Sequence, residues 1–258
     1  CPTEKIEATT QDEQKTRAFY RKPPGDGPFP AVICIHGGVQ AASDQNLQRL
    51  LAGNPVYTRF LAAGYVTVAG DFRTYRANPQ SRGPILDCLA IVDAVKKLPF
   101  VDDESVVVFG GSGGGSIALE LASATKLAAI VCGEPATLLF CGMLGPGEFD
   151  KRFDVLDDPQ KHYTDERKAQ TQKKIKTITC PVLILHGDQH ALKKLNSEIF
   201  LPELKAAGVE VEYKVYPGNR HGFYWGNGTK RETVEKFMAD TQAFLEARLK
   251  TQAKPLKQ

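Results

Sequence analysis

Ser112 lies in VVVFGGSGGGSIAL (residues 106–119), between an apolar run that reads as a strand and a run that reads as a helix. Gly110-Gly111-Ser112-Gly113-Gly114 has the G-x-S-x-G spacing of a nucleophile elbow, in the strand–turn–helix context that the motif requires. The glycines answer a problem of space. A serine on a sharp, strained turn leaves no room for side chains two positions to either side, where they would meet the strand and the helix. Ser112 also begins the helix, whose partial positive charge favours a developing anion nearby. A phosphate-binding turn would need a G-x-G-x-x-G with an acidic ribose partner or a P-loop lysine, and neither is present.

A serine hydroxyl is a weak nucleophile without an adjacent base. Of the five histidines, His221 is best placed, in YPGNRHGFYWG after the last predicted strand. The chain order Ser112 then His221 suits a nucleophile and its base. His36 precedes Gly37-Gly38 at the end of another predicted strand. A turn of that kind aims backbone N–H groups at an oxyanion. Gly38 or Val39 is expected to supply one such N–H and Gly113 the other, while His36 reads as a structural anchor of the loop.

Positioning these groups requires a sheet. Apolar strand-like runs occur at Ala31–Ile35 and in YVTVAGDF, SVVVFGG, LAAIVCGEP, PVLILHG and VEVEYKVYPG. Amphipathic runs alternate with them, including one near Pro55–Ala63, PILDCLAIVDAVKKL, ALKKLNSEIFLPELKAAG and the long one from Thr229 to Lys250. Pro84 suits a first helical turn. This alternation predicts an α/β fold, a mostly parallel central sheet with helices on both faces. Ligands then bind at the carboxyl ends of the strands. One segment, about 136–179, breaks the rhythm. It reads either as a small lid over the strand ends or as a peripheral excursion that touches no substrate.

The bounds agree with one globular domain over 1–258. The chain is 42% hydrophobic and 24% charged, and no apolar stretch nears the roughly 18 residues that span a bilayer. A net charge of +3 with both signs interspersed is too mild to point to nucleic acid, and KTQAKPLKQ reads as a solvated tail. Six cysteines show no metal spacing. Cys34, Cys132 and Cys180 lie in or beside apolar runs and read as buried thiols, whereas a disulfide at Cys88 or Cys141 stays open. A chain that begins at Cys1 leaves the compartment undetermined, with a slight lean to an exported or lipid-anchored protein. The Asn227-Gly228-Thr229 sequon matters only in a host that glycosylates.

Taken together, HGG, GGSGGG, PVLILHG and YPGNRHGF resemble the α/β-hydrolase superfamily in motif and order, from about Ala31 to the end. The similarity is closest to its dienelactone hydrolase-like and prolyl oligopeptidase-like branches. Dienelactone hydrolases proper use Cys where Ser112 stands, and the oligopeptidases carry a propeller too large for 258 residues. The resemblance therefore implies a single-domain serine esterase that cleaves a small-molecule carboxylic ester, aromatic or carbohydrate, through an acyl-enzyme and without a cofactor. A small serine peptidase and a non-catalytic binding protein of the same fold are the alternatives.

The resemblance also exposes an anomaly. The family pattern places the triad Asp three residues after the Gly of HG, and in HGDQHALKK that position is His190. A neutral imidazole poorly supports an imidazolium. Two acids are candidates, and the remaining alternative is that the site has no working acid. Glu134 follows the preceding predicted strand, where glucuronoyl esterases and certain lipases mount theirs. Asp188 lies in the same loop as His190, and its bland reading is a turn residue. Glu134 is preferred because its extra methylene helps span the strand spacing of about 4.8 Å. His186, Asp188 and His190 do not read as metal ligands, since no helix puts them on one face and no fourth ligand is evident. Arg73, Tyr224 and Trp225, with Phe72, Tyr75, Arg76 and Phe223 near them, are expected to line a pocket for an aromatic, sugar or acidic ester, or else to pack and be solvated.

Overall fold

The computed structural model describes residues 1–226 and 228–256. Asn227 of the sequon and Lys257 and Gln258 of the basic tail lie outside the described residues. Strands β1 (Glu4–Thr9), β2 (Lys15–Arg21), β3 (Phe29–Ile35), β4 (Val66–Gly70), β5 (Val101–Gly111), β6 (Ala129–Gly133), β7 (Val182–Gly187) and β8 (Val211–Tyr216) form one sheet. Their order is β1-β2-β4-β3-β5-β6-β7-β8. β2 pairs antiparallel with β1 and with β4, and the remaining neighbours are parallel.

The apolar runs form the middle of this sheet because helices bury both of its faces. Val32, Ile33, Val107, Val108, Ile130 and Val131 have no exposed surface. One face packs on helices Gly83–Lys96 and Gly113–Ala124, and the other on Asp44–Gly53, Pro55–Ala62 and Arg231–Glu246. Pro84 lies in the first turn of its helix, as expected. Cys88 and Cys141 are both free and buried. No helix among the described residues is long and apolar enough to cross a membrane.

Three features depart from the sequence reading. The β1–β2 hairpin has no counterpart in it, because half of β1 is charged and it buries only Ile6. The helix Asp44–Gly53, capped by Ser43, is also new. The single helix expected from Ala191 to Gly208 is instead Leu192–Leu195, a π-turn at Asn196–Phe200, and Leu201–Ala206. The π-turn rotates Asn196 into the interior, where it is fully buried.

The segment 136–179 leaves β6 and returns to β7 through short helices at Thr137–Phe140, Arg152–Asp157 and Pro159–His162 and a longer one at Asp165–Ile175. Leu138, Leu144 and Leu156 join the core on the face of helix Gly113–Ala124. The same three side chains line a cavity at the carboxyl ends of the strands.

Candidate active site

Ser112 sits between β5 and the helix Gly113–Ala124 with φ 53° and ψ −116°. Left-handed φ is costly for a residue with a Cβ and persists only where the surroundings enforce it. The enforcement is visible here. The Ser112 N–H donates to Gly133 O at 2.9 Å, and Ser112 O accepts from Gly115 N and Ala136 N. A side chain at Gly110 would come within 2.1 Å of Gly114 O, and one at Gly114 within 2.3 Å of Ile35 O. Both glycines are therefore required by backbone contacts, and the spacing read from sequence has a steric cause.

Glu134 shows the same kind of strain. Its φ is 48°, and only Glu13 and Ser112 share positive φ among described residues other than glycine. The turn directs a fully buried carboxylate back along the strand ends. Oε1 accepts from Gly187 N at 3.1 Å, and Oε2 accepts from Gly222 N at 2.5 Å. His221 Nδ1 lies 3.4 Å from Oε2, within ion-pair reach and slightly beyond an ordinary N–H···O bond of about 2.7–3.2 Å. Burial pushes the Glu134 carboxyl up to about 7, against the pull of the two backbone donors. Burial also holds the His221 imidazole down to about 4, with the neighbouring His190 adding to it. A neutral ring is the form a general base requires.

Asp188 is elsewhere. Its Oδ1 accepts from Gly218 N at 2.7 Å and from the Gln189 amide, so it ties two surface turns together. His190 stacks on His221 with ring centroids 4.5 Å apart and planes 28° from parallel. Leu192 N donates to His190 Nδ1 at 3.1 Å, so the proton of the neutral ring resides on Nε2. His186 is buried and accepts at Nε2 from Asn196 at 2.7 Å. His186, Asp188 and His190 thus face three different partners.

Asn196 is a residue the sequence reading missed. Its amide donates to Pro135 O at 2.9 Å as well as to His186, and its Oδ1 accepts from Thr137 Oγ1 at 2.5 Å. It braces the turn that carries Glu134. A buried Asn on an apolar helix face was the one available hint, and the π-turn that aims it has no pattern in a single sequence.

Gly38, Val39, Ser112, Gly113, His190 and His221 line one side of a cavity of about 220 Å³. The other side comes from the 136–179 segment, through Leu138, Leu144, Phe149, Arg152, Phe153 and Leu156. The structure does not bring Arg73, Tyr224 or Trp225 to this cavity. Arg73 is held by Asp87 at 2.6 Å and Asp12 at 2.6 Å, joining the hairpin turn to helix Gly83–Lys96. Tyr224 is fully buried and donates to Gly133 O at 3.0 Å, while Trp225 packs against Phe109 and Tyr57. Phe72 stacks on His36, whose Nε2 is 3.2 Å from Asp71 Oδ1. Arg17 binds Asp71 from the other side at 2.7 Å. This cluster fixes the strand end that leads into Gly37-Gly38.

A mostly parallel eight-stranded sheet, with a serine elbow after β5 and a histidine loop after β8, is the α/β-hydrolase fold. Within that class the chain belongs to the prolyl oligopeptidase family, which matches residues 71–252. It is 27% identical over 188 residues to 2,6-dihydropseudooxynicotine hydrolase of Paenarthrobacter nicotinovorans, covering 66% of this chain and 46% of that protein. It is also 27% identical over 257 residues to dipeptidyl aminopeptidase BIII of Pseudoxanthomonas mexicana, covering 90% of this chain and 35% of that one. The chain therefore spans less than half the length of these relatives. A thermostable esterase from Pseudomonas putida superposes with a TM-score of 0.71 at 19% identity, over 97% of this chain and 84% of the esterase, a likeness of fold.

Proposed function

We propose that this chain is a serine hydrolase of small-molecule carboxylic esters, with Ser112 as nucleophile, His221 as general base and Glu134 as the acid. The observation that carries this is the arrangement of the three groups. A buried carboxylate lies 3.4 Å from Nδ1 of a histidine that shares a cavity with a serine in a strained elbow. Ser112 Oγ attacks the ester carbonyl while His221 Nε2 accepts its proton. Nδ1–H donates to Glu134, whose charge stabilises the imidazolium. The carbonyl electrons move to the oxygen, which the N–H groups of Gly113 and of Gly38 or Val39 stabilise. Collapse breaks the ester C–O bond, and His221 returns its proton to the departing alkoxide. Water, deprotonated by His221, then hydrolyses the acyl-enzyme.

The 136–179 segment acts as a cap in this scheme, because its Leu and Phe side chains form the apolar wall against which the buried half of the ester packs. The test is labelling by a serine-directed fluorophosphonate, together with 4-nitrophenyl acetate hydrolysis, by wild type and Ser112→Ala. Loss of both in the variant supports the reading. Absence of both in wild type overturns it and favours a binding protein of this fold.

A peptidase is the second reading, favoured by the family and by the aminopeptidase relative. Against it, no carboxylate among the described residues lines the cavity, so a peptide amino terminus would find no anionic partner there. Faster hydrolysis of aminoacyl 4-nitroanilides than of matched esters would establish it.

A further inference from the structure

We propose that the ester taken by this site carries an anionic group, which Arg152 binds at the cap side of the cavity. The inference rests on the esterase reading for its substrate, though not for the recognition itself.

Arg152 is the only described lining residue of the cavity with a permanent charge, in a wall otherwise made mainly of Leu and Phe side chains. Its guanidinium lies 4.7 Å from the Phe149 ring centre and 4.3 Å from that of Phe153. Arg76 reaches the Phe149 ring as well, at 4.9 Å. The two rings hold the guanidinium by cation–π contact, and a guanidinium so placed suits a planar oxyanion.

The charge of Arg152 is not neutralised internally. Asp150 is its only carboxylate partner among the described residues, through Nη1 at 3.3 Å, and that same oxygen already pairs with Arg76 at 2.5 Å. Nη1 also donates to Phe149 O at 3.2 Å. Among the described residues Nε and Nη2 have no hydrogen-bond partner, which leaves N–H groups for a ligand.

Phe153 adds an independent indication. It is 57% exposed, the more exposed of the two large apolar side chains that are mainly open to solvent among the described residues, and it borders this cavity. An exposed ring beside an unneutralised guanidinium provides an apolar contact and a cation together. A substrate with an alkyl or aryl body and a carboxylate or similar anion at its end would use both.

The experiment compares 4-nitrophenyl hemisuccinate, hemiglutarate and hemiadipate with their neutral methyl esters, and 4-acetoxybenzoate with methyl 4-acetoxybenzoate. The two series place the anion in the acyl half or in the leaving group. Wild type should favour the anionic member of at least one pair by about tenfold in kcat/KM. Arg152→Gln should erase that ratio, and Arg152→Lys should retain part of it, since a lysine keeps the charge without the stacked fork. Using the ratio corrects for any general loss through a disturbed cap. A wild-type ratio at or below one in every pair, or a ratio that survives Arg152→Gln, overturns the proposal.

Binding separates this failure from that of the esterase reading. Titration of Ser112→Ala with benzoate and with methyl benzoate should show tighter binding of the anion that depends on Arg152. If neither series is hydrolysed but this dependence is seen, the esterase reading falls and anion recognition stands. If neither series is hydrolysed and the dependence is absent, both fall.

Discussion

Replacing Glu134 by Gln should separate activity from stability. The three N–H groups facing the carboxylate belong to Gly187, Gly222 and His221, and an amide offers only one oxygen to them. If that oxygen faces Gly222 and His221, the amide NH2 meets the Gly187 N–H, an unmet donor worth about 1–3 kcal/mol. Against this, burial raises the carboxyl from 4.5 to about 7. Keeping it ionised in the folded chain therefore costs about 3 kcal/mol at alkaline pH, a cost that Gln does not incur. The sign follows from the raised value: the folded state holds the proton more tightly, so this group destabilises wild type increasingly as pH rises from 4.5 through 7. Glu134→Gln should melt below wild type at pH 5 and close to it at pH 8. Its kcat for 4-nitrophenyl acetate should fall about 10⁴-fold, the scale seen when a triad acid becomes its amide, or about 5 kcal/mol. Thermal melts across pH and steady-state kinetics at pH 8 are the assays. A fall of less than about tenfold in kcat, with a folded variant, would refute Glu134 as the acid.

Asp188→Asn should keep kcat within about threefold of wild type, because Asp188 only links turns; a loss comparable to that of Glu134→Gln would return the acid to the β7 loop. The active form needs His221 neutral and Glu134 ionised, and these groups sit at about 4 and about 7. The acid limb of kcat/KM should therefore rise with an apparent midpoint near 7 that belongs to the pair, and a pH-rate profile with its midpoint near 4 would contradict this. Its ring stacked on His221, His190 offers a neutral aromatic face to the imidazolium that forms in the reaction. His190→Phe should preserve kcat, whereas His190→Ala should lose about three- to tenfold, matching roughly 0.5–1.5 kcal/mol for an aromatic pair. Equal losses in both variants would show that the face is not what matters.

Ser112 and its glycines stand out in the sequence as an elbow motif, and His221 as the histidine that follows the last predicted strand. An elbow needs Gly110 and Gly114 wherever it occurs, and a run such as Val106–Phe109 can hardly be other than a buried strand. The proposed acid was legible only as a choice, because two turns at neighbouring strand ends each offered a carboxylate. Backbone direction decided between them: the left-handed φ of Glu134 turns its side chain inward, while Asp188 is taken up by Gly218. The edge strand β1 stayed hidden because it buries only Ile6, too little to stand out from a charged loop.

The cavity wall lay beyond the sequence altogether. Arg73 and Arg152 look alike in composition and context, yet Asp87 and Asp12 claim the first and two phenylalanine rings hold the second at the cavity. By itself the sequence determined the sheet and the elbow motif, because the alternation of apolar and amphipathic runs and the spacing of Gly110 and Gly114 about Ser112 are patterns within short stretches of chain. The tertiary structure decided which carboxylate lies beside His221 and which side chains line the cavity. Those outcomes depend on groups some 50 to 90 residues apart in the chain, such as Glu134 with Gly187 and with Gly222, that only folding brings within hydrogen-bond reach.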